Sequence, residues 1–171
     1  RKLQSLVGKS TILKWLDGKL CAGEARKFPA PIFLIGTPRV GSTLLYQAML
    51  AKYETAYLTN FHSLFYSESC MAEYLVRFLK LLGVKTTASL KSNYGFVAGV
   101  LAPSEAGPTF RYWFGEADFN MGSHVTDCQK VRKVLSTLCS QREIPFVSKN
   151  LFNSMRLNEI VKCFPEAFFV W

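Results

Sequence analysis

No Cys-x-x-Cys pair occurs in this chain, and its five cysteines, Cys21, Cys70, Cys128, Cys139 and Cys163, are odd in number and widely spaced. That pattern argues against a zinc site and against a disulfide framework, and it leaves most of the cysteines as small buried hydrophobes. No uncharged apolar run approaches the ~20 residues that a membrane-spanning helix needs. No signal peptide is visible, so the expected location is the cytoplasm, with room for a targeting or membrane segment removed ahead of Arg1. Acidic residues are scarce: 12 Asp and Glu against 21 Lys and Arg give a net charge of +9. A basic surface of this kind suits a polyanionic ligand such as a nucleotide, or an acidic substrate. There is no DNA- or RNA-binding signature, so nucleic acid is not an expected partner. What the chain has in quantity is hydrophobic residues, 49% of 171, enough for a sizeable core in a single domain spanning residues 1–171.

One stretch organises the rest. Ile32, Phe33, Leu34 and Ile35 form an apolar run without polar alternation, bounded by Pro31 and Gly36. Such a run predicts a strand buried on both faces. Gly36 to Gly41 is a turn holding two glycines, a proline and an arginine. From Ser42 or Thr43 the pattern becomes helical, with Leu44, Leu45, Ala48 and Met49 on one face. Strand, glycine-containing loop and helix together bind phosphate, because the loop amides and the positive end of the helix dipole converge on one point. Gly36-x-x-x-x-Gly41 matches the frame of the nucleotide-hydrolase P-loop, but Ser42 stands where that loop has its lysine. The positive charge sits at Arg39 instead, where a guanidinium can make a bidentate contact with phosphate or sulfate.

The segment Pro38-Arg39-Val40-Gly41-Ser42-Thr43-Leu44-Leu45 resembles the phosphate loop of sulfotransferases, Pro-Arg-Ser-Gly-Thr/Ser-Thr-Leu-Leu. The departure is Val40 for the usual Ser, which removes a hydroxyl but no backbone donor. The resemblance implies 3′-phosphoadenosine 5′-phosphosulfate (PAPS) as co-substrate. Pro38, Arg39, Val40, Gly41, Ser42 and Thr43 would then bind its 5′-phosphosulfate, and no metal would be needed. It also implies an α/β fold of P-loop nucleotide-hydrolase type, a three-layer sandwich with a parallel sheet between helices.

Ahead of the loop, residues 1–30 form a basic amphipathic segment and its connection. Leu3, Leu6, Val7, Leu13 and Leu16 are the expected inward positions, either of a packing helix or of a juxtamembrane segment. After the loop helix, Thr55–Phe61 reads as short and partly β-like, followed by His62. A histidine there is a candidate base, or simply a hydrogen-bonded or exposed side chain. Met71–Leu82 predicts a helix, with Leu75, Phe78, Leu79 and Leu82 at helical spacing. Gly83–Gly122 then loses periodicity, and a long irregular insert of this kind is the expected acceptor-binding region. Within it, Pro103-Ser104-Glu105-Ala106-Gly107, followed by Phe110, Trp113 and Phe114, is similar to a Pro-x-Glu-x-Gly segment of bacterial-type sulfotransferases. Glu105 is a candidate base for the acceptor hydroxyl, or else a first-turn residue of a helix capped near Ser104.

Thr126 or Asp127 caps an expected helix running to about Arg142, with Val131, Val134, Leu135 and Leu138 as its apolar face. Ile144–Ser148 is the next strand, followed by Lys149. In several sulfotransferase groups a lysine at this place points at the transferring sulfuryl group, so the resemblance gives Lys149 a catalytic role; a solvated strand-end lysine is the other reading. Asn153–Phe164 predicts a helix with Met155, Leu157, Ile160, Val161 and Phe164 inward, and Ala167–Trp171 a third buried strand. A second nucleotide motif, an Arg and a Ser for the 3′-phosphate, would follow where the chain stops. The sequence therefore reads as the N-terminal part of a longer enzyme. The expected activity is sulfuryl transfer from PAPS to a hydroxyl or amine of a small-molecule, carbohydrate or peptide acceptor. A P-loop kinase or nucleotidase would want a lysine at position 42 and an acid at a strand end. An inactive nucleotide-binding or scaffold protein of the same fold is the third reading.

Overall fold

The computed structural model describes residues 10–22, 25–84, 98–116, 126–139 and 143–171. Asn93, Tyr94, Gly95 and much of the insert, His124, Leu3, Leu6 and Val7 lie outside them. The described elements run α1 (Thr11–Leu20), β1 (Ile32–Leu34), α2 (Ser42–Lys52), α3 (Asn60–Leu64), α4 (Ser69–Leu81), α5 (Gly107–Phe114), α6 (Cys128–Cys139), β2 (Val147–Lys149), a 3₁₀ turn (Leu151–Arg156), α7 (Leu157–Cys163) and β3 (Phe168–Val170). This is an α/β arrangement around a small parallel sheet of order β2-β1-β3.

β1 is central because its alternate side chains bury in opposite directions. Phe33 points into an aromatic cluster with Phe110, Phe146, Phe164 and Phe169, at centroid distances of 5.7–6.4 Å. Helices α5, α6 and α7 close that side, and Val131, Val134, Leu135 and Leu138 of α6 are all buried there as expected. Leu34 points the other way, against Tyr46 of α2 and Val147 of β2. Ala56 pairs in parallel with Phe146 through a single bridge, so the β-like stretch before His62 is only a flank to β2.

Several expected faces turn out differently. On α2, Leu44 and Leu45 are exposed and the buried residues are Tyr46 and Gln47. This helix is apolar nearly all round, so periodicity does not select a face. On α4, Leu75, Phe78 and Leu82 are exposed while Cys70, Ala72, Glu73 and Val76 are buried. Polar and covalent ties set that rotation: Glu73 meets His62, and Cys70 is bonded to Cys21. On α1, Leu16 is exposed and the buried residue is Asp17, whose carboxylate accepts from the Met71 amide at 2.9 Å. The expected helix over Asn153–Phe164 begins as a 3₁₀ turn, and Met155 and Val161 face solvent. β3 is not buried as expected: Phe168 and Val170 are exposed, and only Phe169 packs inward.

The cysteines also differ from expectation. Cys21–Cys70 ties α1 to α4, and Cys128–Cys163 ties α6 to α7, with Cα separations of 5.8 and 4.9 Å. Wide sequence spacing concealed both pairs, because only folding brings residues 49 and 35 positions apart together. Cys139 stays free and buried, and burial pushes its thiol up to about 12. The Asp17 carboxylate lies within 4.8 Å of the Cys21 and Cys70 sulfurs, but those sulfurs are bonded to each other. Constraining the unfolded chain is worth about 2–4 kcal/mol for a typical bridge. Adding a reductant to the folded protein should therefore lower its melting temperature by several degrees; an unmoved melting curve would count against both bridges.

Candidate active site

β1 and β2 run parallel with Leu34 opposite Lys149. The loop that leaves β1 and the lysine that ends β2 therefore emerge side by side at one sheet edge. In open parallel sheets that carboxyl edge is where ligands bind.

The loop is shaped for an anion. Pro38 and Arg39 form its turn, and Arg39 adopts a left-handed conformation at φ 68°. Gly41, at φ 81°, is the residue before α2 and offers no side-chain cap. A Cβ built there would meet nothing within 4 Å, so the glycine serves the backbone conformation. The first helical bond is from the Leu45 amide to the Gly41 carbonyl, at 3.0 Å. The amides of Ser42, Thr43 and Leu44 thus come before the first intrahelical bond and receive no cap from Gly41, the arrangement that receives phosphate or sulfate. Arg39 is exposed and makes no ion pair among the described residues.

Lys149 is not a solvated strand-end lysine. It is only 4% exposed and forms an ion pair with Glu105. Glu105 in turn is not in the first turn of a helix. The chain turns through Ala106 at φ 47°, and α5 starts at Gly107. The Ser104 hydroxyl accepts from the Ala106 amide at 3.1 Å, which shapes the bend that presents Glu105. Asn150 anchors this bend from the other side. Its backbone amide donates to the Leu34 carbonyl at 3.3 Å, and its side-chain amide donates to the Glu105 carbonyl at 2.8 Å. Its side-chain oxygen meanwhile caps the 3₁₀ turn through the Phe152 amide. Asn150 had no role in the sequence reading, although an asparagine straight after a strand is a cap signal.

The His62 ring is turned to Glu73 rather than to Glu105, although its helix adjoins the Glu105 bend through the Ser63 and Ser104 hydroxyls, 2.8 Å apart. It is fully buried in a capping box at the start of α3: Nδ1 accepts from the Thr59 amide at 3.1 Å and meets the Thr59 hydroxyl at 2.9 Å. Nε2 faces Glu73 Oε2 at 3.3 Å, and Glu73 Oε1 accepts from Arg77 at 2.7 Å. Glu73 and Arg77 line a cavity of about 630 Å³ that also takes in Lys52 and Tyr53. His62→Ala should therefore cost about 1–3 kcal/mol of stability, through the lost cap and the stranded Glu73, with turnover nearly unchanged. Denaturant midpoints and initial rates test this; a rate collapse in a fully folded variant would restore His62 as a candidate base.

A family model described as the sulfotransferase family matches residues 31–171. The chain belongs to the sulfotransferase family. The match begins at Pro31, immediately before β1, and takes in the loop from Gly36 to Gly41, Glu105 and Lys149. Neither a curated protein nor a solved structure matches this sulfotransferase chain. No described helix is long and apolar enough to cross a membrane.

Proposed function

We propose that this chain moves a sulfuryl group from PAPS to a hydroxyl or amine of a small-molecule, carbohydrate or peptide acceptor, within a single domain of P-loop nucleotide-hydrolase type. The observation that carries the reading is the Lys149–Glu105 pair beside an uncapped helix start. Arg39 and the amides from Val40 to Thr43 would hold the 5′-phosphosulfate, with Pro38 setting the turn. Glu105 takes the acceptor proton, the acceptor oxygen or nitrogen bonds to sulfur, and the sulfur–oxygen bond to the departing phosphate breaks. Lys149 offsets the charge that grows on that oxygen. Arg39, Lys149 and the helix amides between them meet the transferred charge, so the reading gives no metal a role.

The kinase or nucleotidase alternative is disfavoured by Ser42 in the lysine position and by a cation where β2 would supply an acid. Two disulfides fit an oxidising compartment better than the expected cytoplasm. The test is calorimetric titration of the full-length protein with 3′-phosphoadenosine 5′-phosphate (PAP) and, separately, with ATP–Mg²⁺. Tight binding of PAP alone supports the reading. Binding of ATP–Mg²⁺ alone overturns it, and binding of neither shifts the weight to a scaffold protein.

A further inference from the structure

Tyr46 carries an unexplained polar atom. The residue is 4% exposed, and its hydroxyl is buried without a hydrogen-bond partner. A buried hydroxyl left unpaired costs on the order of 1–3 kcal/mol, so it calls for an explanation. Tyr46 lies one turn into α2 from Ser42, and helical side chains lean toward the helix start, here the phosphate loop. It packs on Leu34 and Val147. Val147 and Lys149 are two residues apart on β2 and so share the face that Tyr46 covers. Burial, then Tyr57, then the negative charge of Glu105 keep the phenol protonated. The side chain is therefore a hydrogen-bond donor, aimed along the face that holds the Lys149–Glu105 pair.

That pair poses a problem which the reading above leaves open. As charge grows on the departing oxygen of PAPS, the Lys149 ammonium, which has three donors, is drawn from Glu105 toward that oxygen. Once Lys149 turns to the sulfuryl group, its hold on Glu105 weakens. A partly buried carboxylate without a partner rises in proton affinity and is filled by solvent before it meets the acceptor. We propose that the Tyr46 hydroxyl donates to Glu105 when Lys149 leaves it, and so acts as a positioning residue that keeps the base ionised and aimed at the acceptor. No bond to Tyr46 is made or broken. The proton from the acceptor ends on Glu105, and the electron pair of the broken sulfur–oxygen bond ends on PAP.

This inference rests on the assignment of Glu105 and Lys149 above, and one experiment separates the two. Tyr46→Phe is measured alone and in a Glu105→Gln background, with PAP affinity and melting temperature recorded for each. The single variant should lose about tenfold in kcat, a typical order for one donated hydrogen bond to a charged group, with PAP affinity kept. In the Glu105→Gln background the same change should cost less than about twofold, because the two act as one unit. Equal losses in both backgrounds, or no loss in either, would overturn the role of Tyr46. Full activity of Glu105→Gln alone would overturn Glu105 as the base and Tyr46 with it. Should the Glu105→Gln rate lie below detection, the pH profile of Tyr46→Phe decides. From β2 Glu105 faces Lys149, and its charge acts on Tyr46 of α2. Loss of the donor raises the proton affinity of Glu105, so the acid limb of kcat moves to higher pH; an unmoved limb would overturn the proposal.

Discussion

Lys149→Met is expected to slow sulfuryl transfer by about 10²–10³-fold, the usual loss when one preorganised donor to a developing charge is removed, while PAP affinity falls far less. Methionine keeps the apolar stem that packs at the end of β2 and removes only the ammonium. The fold should tolerate it. Glu105 loses its partner, but its side chain is 36% exposed and can be rehydrated, so the penalty is well below that of a fully buried stranded charge. Saturating-donor kinetics together with PAP titration make the test. A rate within a few-fold of wild type would reduce the buried lysine to a structural role.

Arg39→Ala should weaken PAP binding by roughly 30- to 150-fold, the equivalent of ~2–3 kcal/mol for a charge-assisted, bidentate contact. Arg39 is exposed and has no ion pair among the described residues, so the melting temperature should not fall. Arg39→Gly sharpens the comparison. A non-glycine residue at φ 68° carries about 1–2 kcal/mol of backbone strain, which glycine does not. That variant should be equally poor at binding and as stable as wild type or more so. Calorimetry and thermal melts read the two effects separately. Wild-type affinity in either variant would mean that the loop amides alone suffice and that the guanidinium points elsewhere.

The central strand and the turn and helix that follow it were legible because their signals are local: an unbroken apolar run, two glycines at fixed spacing and an arginine between them. The apolar face of α6 was legible for the same reason, since Val131, Val134, Leu135 and Leu138 repeat at helical spacing and pack on one core. What stayed hidden was set by partners remote in sequence. The inward face of α4 follows from Glu73 meeting His62 and Cys70 meeting Cys21, and neither contact leaves a mark on the helix's own periodicity. Within the site, Lys149 and Glu105 could each be named from its neighbours, but their pairing across 44 positions could not. Tyr46 and Asn150 were missed because an aromatic in an apolar helix and an asparagine after a strand look ordinary until the groups they face are known.

β3 hydrogen-bonds on one side only, through the Ile35 amide to the Val170 carbonyl and the Phe168 amide to the Pro31 carbonyl. Its other side carries no strand among the described residues, and Phe168 and Trp171 beside it are 63% and 78% exposed. An apolar strand with a free row of amides and carbonyls is a template for a further strand from any chain that meets it. A lysine in place of Phe168 is expected to oppose pairing along this edge, and light scattering of the variant against wild type reads the difference.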